Sequence, residues 1–296
     1  MFRKTLKPML KINPKVSIII PCFNGGLTLP NTIKSVKAQT WKNIEIIVVD
    51  DGSNDPITIS TLKKLKGVRL IKQKNKGLPC ARNFGIKVAT GEFILPLDSD
   101  DRLEPKAIKL MLDFLCKNPN FAYVFSYINL EGESLGVLEK SYNFFEQLFL
   151  NQIPYCILLP RRIWKELNGY DESFDSGYED WEFNIRMGIN GYFGHVIPLP
   201  LFNYRVSASG MLLSKSNKLH NQLWKKIQDK HVSTFKIREM FKIWRLWKRR
   251  PSTYPLYFYF LWFFLYKAIP GKLFIMIFRL LRKYSHSQRI TRKLIN

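Results

Sequence analysis

Cysteine is scarce and scattered. The 296-residue chain has 4 cysteines, Cys22, Cys80, Cys116 and Cys156, with no CxxC pair and no Cys/His cluster. That spacing excludes a zinc ribbon and argues against a disulfide framework. Buried, reduced thiols in a cytosol-facing protein are expected instead. Acidic residues are few: 23 Asp and Glu stand against 47 Lys and Arg, a net charge of +24. The phosphate-binding signatures GxxxxGK[ST] and strand-GxGxxG are both absent, which sets aside NTPase and dinucleotide-binding readings. No apolar h-region precedes Val16, so no secretory leader is expected, although Arg3, Lys4, Lys7, Lys11 and Lys15 supply positive charge. An uninterrupted apolar run of about 20 residues, the usual need of a spanning helix, is missing as well. Residues 254–266 read YPLYFYFLWFFLY, but Lys267, Pro270, Gly271 and Lys272 interrupt the stretch before LFIMIF at 273–278.

What is present is a globular mix, 46% hydrophobic and 24% charged, with aromatics at 14%. Such a chain can build a core as one large domain or two small ones. The charge is uneven. Residues 1–211 carry 27 basic and 21 acidic residues, and residues 212–296 carry 20 and 2, so +18 of the +24 lies in the last 85 residues. The composition break predicts a domain over 1–211 and a basic, aromatic helical tail over 212–296. In the tail, Lys225, Lys226, Lys230, Lys236, Arg238, Lys242, Arg245, Lys248, Arg249 and Arg250 interleave with Leu223, Ile227, Phe235, Met240, Phe241, Trp244 and Trp247, partly at helical spacing. Attachment to an anionic membrane surface is the expectation. A true span, a core helix pair and an oligomer interface are the alternatives. A nucleic-acid contact would also use such charge, but the aromatic run favours lipid. A chain ending near 211 is expected to be soluble if the core folds alone.

Along the first 211 residues, apolar runs alternate with helical patterns. Strands are expected at Val16–Ile20, Ile44–Val49, Val68–Ile71, Phe93–Leu97 and Phe121–Tyr127, and helices at Thr28–Thr40, Leu78–Ala89 and Pro105–Cys116. The alternation predicts an α/β fold with a mostly parallel sheet. Ligands of such sheets bind beyond the carboxyl ends of the strands. Three of these ends carry polar clusters, at 21–24 (PCFN), 50–53 (DDGS) and 98–101 (DSDD). The topology therefore gathers several carboxylates into one cleft, and their repulsion calls for a cation. Hard divalent ions prefer such oxygens and bridge to diphosphates. Taken singly, each cluster also reads as an ordinary turn, and Asp100 or Asp101 as a helix cap.

Together these residues resemble family 2 glycosyltransferases of the GT-A fold. The resemblance spans roughly residues 15–210 and rests on VSIIIPCFNGG, VVDDGSND, NKGLPCARNFG, LPLDSDD and GYEDWEFNIRMG in that order. It implies an inverting enzyme that uses a nucleotide-diphosphate sugar and Mg²⁺ or Mn²⁺, acting on a glycan or lipid-linked acceptor in cell-surface polysaccharide or glycolipid synthesis. Pro21, Phe23 and Asn24 would floor the base and ribose. Asp51, with Gly52 and Ser53, would read the nucleobase; a carboxylate accepts from N3–H of uracil or thymine but not from cytosine, so UDP- or dTDP-sugars are expected. Lys76, Gly77 and Arg82 would serve the base or phosphates. Asp98, Ser99 and Asp100 match the family's DxD, with Asp98 at the ribose and metal and Asp100 at the metal. Asp101 is a further ligand or a cap. Glu179-Asp180 matches the acidic pair, with Asp180 the general base and Glu179 positioning the acceptor. Their bland alternative is to complement the start of a helix. Trp181 either packs or stacks on the acceptor.

One departure stands out. The family often continues Tyr-Arg-x-His after its last core strand, whereas this chain reads Tyr204-Arg205-Val206-Ser207. No His at 207 supplies the family's third metal contact, which is left open; Arg205 is a candidate phosphate contact, and His195, in an expected strand, reads as structural. Tyr170, Asp171, Glu172 and Phe174 fall in the acceptor loop by position. The expected place is the cytoplasmic face of the cell membrane, peripheral or monotopic through the tail. The competing functions are a nucleotide-sugar-binding scaffold without turnover and a sugar nucleotidyltransferase. The latter class needs a Gly-rich N-terminal stretch with Arg and Lys, which Gly25-Gly26 does not supply.

Overall fold

The computed structural model describes residues 13–207, Ser216, 219–268 and Leu273. Its first sheet has the order β3-β2-β1-β4-β8, from β1 (Val16–Cys22), β2 (Ile44–Asp50), β3 (Arg69–Lys72), β4 (Phe93–Pro96) and β8 (Leu159–Pro160). The first four strands are parallel and β8 runs antiparallel to β4. β1 lies at the centre with all seven residues buried, as its unbroken apolar run requires of a strand covered on both faces. Helices α1 (Leu29–Lys37), α2 (Pro56–Lys63) and α3 (Leu78–Val88) make the connections. Pro30 sits in the first turn of α1 and Pro79 in that of α3, where the missing N–H costs nothing. Gly85 lets α3 lie close on the sheet: a Cβ there would meet Ile19 Cγ2 at 2.5 Å and Val49 Cγ2 at 2.9 Å.

A second sheet, β5-β9-β6-β7, stands beside the first. It comprises β5 (Arg102–Leu103), β6 (Tyr123–Gly132), β7 (Gly136–Leu138) and β9 (Gly194–Val206), with α4 (Ala107–Lys117) between β5 and β6. β6 and β9 are parallel, with a register irregularity at Tyr127. The α/β fold with a parallel-rich sheet is as expected, but β6 leaves the first sheet rather than extending it. The helix α2 carries no apolar periodicity to announce it; Asp55 starts it, accepting from Thr58 N at 2.8 Å. His195 is structural: its ring stacks on Phe114 with centroids 4.4 Å apart.

The remaining helices are α5 (Phe144–Gln147), α6 (Arg161–Glu166), α7 (Glu179–Ile189), α8 (His220–Lys230), α9 (Ile237–Trp247) and α10 (Leu256–Ala268). The change of composition near 211 is not a change of packing. Trp224 of α8 is fully buried and donates to Leu148 O at 3.1 Å. Trp247 of α9 packs edge-on against Tyr142, Phe144 and Phe193. Tyr259 of α10 packs between Phe145 and Phe149. Glu146, fully buried on α5, accepts from Ser252 Oγ, from Thr253 N and Oγ1, and from the Tyr259 hydroxyl. A chain ending near 211 would uncover all of these seats. Among the described residues no helix is long and apolar enough to cross a membrane. The expected Pro270-Gly271 break and the run at 274–278 lie outside the described residues.

Replacing Glu146 by alanine strips several buried donors of their acceptor at once. Glu146→Ala is expected to lower unfolding stability by at least about 3 kcal/mol, read as a shift of the urea midpoint, with Glu146→Gln losing less. An unchanged midpoint would show that residues 252–259 do not clasp α5.

Candidate active site

The carboxyl ends of β1, β2 and β4 meet on one edge. Asp51 N donates to Cys22 O at 2.9 Å and Leu97 N to Ile19 O at 2.9 Å. Asn24, with φ of 52°, zips the first two loops together. Its Oδ1 accepts from Asn54 N and Asp55 N, and its backbone N donates to Ser53 Oγ at 3.1 Å. Asn24 and Ser53 are thus occupied by loop contacts. Pro21 is buried in β1, and Phe23 is left 49% exposed beside them. Ser99 O accepts from Thr32 Oγ1 at 2.9 Å, which ties its loop to α1.

Asp51 is 4% exposed, and its carboxylate organises the loop before α3. It accepts from Gln73 Nε2 at 2.7 Å and from the backbone N–H groups of Lys76 and Gly77 at 2.9 Å each. Gly52 is required here: its φ is 75°, and a Cβ would meet Asn75 N at 2.7 Å. Gly77, with φ of 88°, turns the chain into α3.

Arg82, one turn into α3, is 1% exposed. Nη1 donates to Glu179 Oε1 at 2.5 Å and Nη2 to Asp98 Oδ1 at 2.7 Å. The guanidinium lies 4.7 Å above the Tyr155 ring. Burial works against its charge, but Asp98 and Glu179 outweigh burial and hold it firmly protonated. In this structure both Nη groups of Arg82 serve carboxylates, joining the end of β4 to the start of α7. Glu179, at 4% exposure, is bound to Arg82.

Asp98 donates its backbone N–H to the Tyr155 hydroxyl at 3.0 Å and keeps its Oδ1 on Arg82. Asp100 is solvent-exposed, yet the protein around it desolvates its carboxyl and the Asp98 charge adds to this, raising it to about 6; Arg205 opposes the shift. Asp101 is 1% exposed; its Oδ1 accepts from Arg205 N at 2.8 Å and its Oδ2 from the Tyr155 hydroxyl. Asp101 does not cap α4, which begins at Ala107 with Lys106 before it; its carboxylate is enclosed by Tyr155 and β9. The exposed Arg205 side chain bears on Asp100 by charge alone.

Asp180 stands differently from Glu179. It is half-buried, with Oδ2 accepting from Asn151 Nδ2 at 3.0 Å and Oδ1 from Trp181 N at 2.7 Å. Burial raises both acids above the ordinary carboxylate range. Tyr178, in the left-handed conformation with φ of 69°, presents the pair at the head of α7. Trp181 is 2% exposed and donates to Gln147 O at 2.6 Å, so it packs and offers no face to a sugar. Of the residues assigned to the acceptor loop by position, Tyr170 and Phe174 are core, Asp171 is paired with Lys230, and Glu172 alone is exposed. Tyr155, Gln73 and Asn151 were not signalled by any motif, because each lies in a stretch with no pattern of its own.

Among the described residues no group of three His, Cys, Asp or Glu side chains is gathered tightly enough to hold a metal by itself. Two carboxylates are nonetheless suited to a hard divalent cation. Asp100 is repelled by Asp98, and Asp98 retains an Oδ2 that Arg82 does not take. Asp98 and Asp100 are the residues that would hold such a cation, which would offset their mutual repulsion.

The sequence profile described as Glycosyl transferase family 2 matches residues 17–166. Chondroitin synthase of Escherichia coli is 32% identical over 199 residues, covering 63% of this chain and 28% of that protein. An uncharacterised glycosyltransferase of Rickettsia felis is 42% identical over 121 residues, 40% of this chain and 20% of that one. The matched part thus spans less than a third of either relative. Among solved structures, Staphylococcus aureus TarS 1–349 in complex with UDP-GlcNAc superposes with a TM-score of 0.58 at 20% identity, covering 68% of this chain and 61% of that one. A mannosyltransferase of Pyrobaculum calidifontis in complex with GDP-Man and Mn²⁺ gives 0.57 at 16% identity, covering 79% and 68%. The profile match covers half of the chain, and the fold agrees with it: this protein belongs to glycosyl transferase family 2 and has the GT-A fold.

Proposed function

We propose that the chain transfers a sugar from a UDP- or dTDP-linked donor to a glycan or lipid-linked acceptor in a single displacement that inverts the anomeric centre. The observation that carries this reading is the asymmetry of the acidic pair. Glu179 is buried and bound to Arg82, whereas Asp180 is half-exposed with its charge uncompensated by any direct cation. One reachable carboxylate suits one task, accepting the proton of the attacking hydroxyl. Its raised pKa brings its basicity nearer to neutral pH, as a base requires.

On the donor side, Asp51 has three of its acceptor positions filled by the 73–77 loop, and the fourth suits N3–H of uracil or thymine. Phe23 offers an exposed ring to the base. Asp100 and Asp98 would hold Mg²⁺ or Mn²⁺; when bound, the ion neutralises charge on the departing diphosphate. Arg82 keeps Asp98 and Glu179 in register, so donor and acceptor halves are fixed together. A nucleotide-sugar scaffold without turnover would have no use for a partly exposed Asp180. Family membership sets the nucleotidyltransferase reading aside.

The same reading places the enzyme on an anionic membrane face. α9 leaves Ile237 and Phe241 exposed, and α10 leaves Tyr257, Leu261 and Phe264 exposed, the spacing of one helical stripe on each. Exposed Arg238, Arg245, Lys248, Arg249 and Arg250 border the first stripe. Each basic group near an anionic leaflet adds about 1 kcal/mol.

Three outcomes test these statements. UDP binding measured by calorimetry should need Mn²⁺ or Mg²⁺ and fall about tenfold or more in Asp100→Ala, while CMP should not compete; undiminished binding in excess chelator would remove the metal role of Asp100. Asp180→Asn should cut turnover by about 10²–10⁴ with UDP affinity unchanged. If Asp180→Asn transferred at the parental rate, the base would lie elsewhere. The full chain should co-sediment with vesicles rich in anionic lipid, high salt should release it only in part, and Phe241→Glu with Leu261→Glu should weaken binding about tenfold or more. Indifference of the parent protein to such vesicles would reject the membrane reading.

A further inference from the structure

Asp180 does not hold its place through α7 alone. Its Oδ2 takes a hydrogen bond from Asn151 Nδ2 at 3.0 Å, and Asn151 Oδ1 in turn accepts from Gln147 Nε2 at 3.2 Å. Gln147 is fully buried, and each of its polar groups is engaged. Its carbonyl oxygen accepts from Trp181 Nε1 at 2.6 Å, and its Oε1 accepts from Gln152 N at 3.0 Å. The neighbouring Glu146 is gripped by residues 252–259, as described above. Thus α5 and the loop after it touch α7 twice, once through Trp181 on the Gln147 carbonyl and once through the side chain of Asn151, and α5 is anchored from behind by the segment that opens α10.

We propose that Asn151 is a positioning residue for Asp180: its amide, oriented by Gln147, holds the Asp180 carboxylate in one rotamer and stabilises its ionised form. This rests on the reading of Asp180 as the general base. The chemistry follows from the donor set. Besides the Trp181 N–H of its own helix, the Asn151 amide is the neutral donor that meets this carboxylate. Burial is the largest effect on Asp180 and opposes its ionisation. The charged groups around it are Arg82 on α3, Asp98 after β4 and Glu179 beside it on α7, and the hydroxyls of Tyr170 and of Tyr204 on β9 also face it. Arg82 favours the anion but is bound to Asp98 and Glu179, and both acids oppose ionisation of Asp180. A hydrogen bond from Asn151 is therefore the adjustable contact that keeps the base available near neutral pH. It also explains why an asparagine sits in the loop after α5: an aspartate would add a third acid to the pair, and an alanine would leave Oδ2 unsupported.

The experiment is a ¹³C carboxyl NMR titration of the full chain, with the Asp180 resonance assigned by its loss in Asp180→Asn. In Asn151→Ala the Asp180 midpoint should move up by about one pH unit, because a bond to the anion is lost. Asn151→Asp should move it further in the same direction, through repulsion. UDP affinity and the urea midpoint should stay near the parental values, which a general loss of folding would not allow. Where activity is followed, the acid limb of the rate profile should shift upward with the resonance, and the high-pH plateau should fall less than in Asp180→Asn. An unshifted Asp180 midpoint in Asn151→Ala would overturn the proposal. A raised acceptor KM with an unshifted midpoint would overturn it too, making Asn151 an acceptor contact. If Asp180→Asn itself proved fully active, the base assignment would fail, and that result is separate from the NMR shift.

Discussion

One buried cation ties the site together. Arg82 bonds Asp98 at the end of β4 and Glu179 at the start of α7, 97 residues later in the chain. Removing either acid leaves a guanidinium in the interior with a missing partner, and removing the arginine leaves two acids facing each other across the cleft. The constraint reaches further than the three residues. Tyr155 lies under the guanidinium, and its hydroxyl both accepts from Asp98 N and donates to Asp101. Asp101 then accepts from Arg205 N on β9, which fastens the second sheet to the first. A single charge network therefore fixes the DxD loop, the acidic pair and the last core strand relative to one another. Asp100 and Asp180 stay free of Arg82: Asp100 is exposed, and Asp180 is partly exposed, as is Asp98 within the network.

This division of labour explains what sequence reading reached and what it did not. The central strands were legible because VSIII and IEIIVV are unbroken apolar runs, which only a doubly covered strand tolerates. The strand-end clusters followed from topology alone. The roles within those clusters did not. Asp98, Asp100 and Asp101 are three acids within four residues, and nothing in their spacing says that one binds an arginine, one meets solvent and one is sealed under a tyrosine. Arg82 looked like a ligand contact because an arginine beside a nucleotide site commonly is one; its burial is a tertiary fact. Tyr155 and Asn151 lie in a segment without periodicity, so only coordinates reveal them.

The basic C-terminal segment shows the same limit of composition. Its charge suggested a separable tail, yet part of that charge works inside the protein. Lys230 pairs with Asp171 and Glu182, and His231 meets Glu182 at 2.9 Å. Glu182 is fully buried, and burial would raise its pKa; the bonds from His231, Arg186 and Lys230 outweigh that and hold it low. Asp171 is likewise held well below the usual range by Lys230 and Ser173 against the effect of burial. Lys226 donates to Ser173 O, and the Tyr178 hydroxyl meets His220 Nδ1 at 2.9 Å just before the acidic pair.

It follows that α8 and the segment before α10 brace the acceptor half of the cleft as surely as the β-strands brace the donor half. The 171–178 loop is fastened by α8, and α5 is fastened by residues 252–259, while both converge on the head of α7. The donor side is rigid by virtue of a parallel sheet, whose strand ends are fixed by backbone bonds that vary little with side chain. The acceptor side has no such scaffold of its own: it is a loop, a one-turn helix and a helix N-terminus. Its order must come from side-chain contacts, and the C-terminal helices provide them. The exposed apolar stripes and basic residues lie on α9 and α10, which pack onto α5, so that surface is mechanically continuous with the head of α7 where Asp180 stands. On the proposed reading, a bilayer beneath that surface would hold Asp180 beside it, where a lipid-linked hydroxyl would be found.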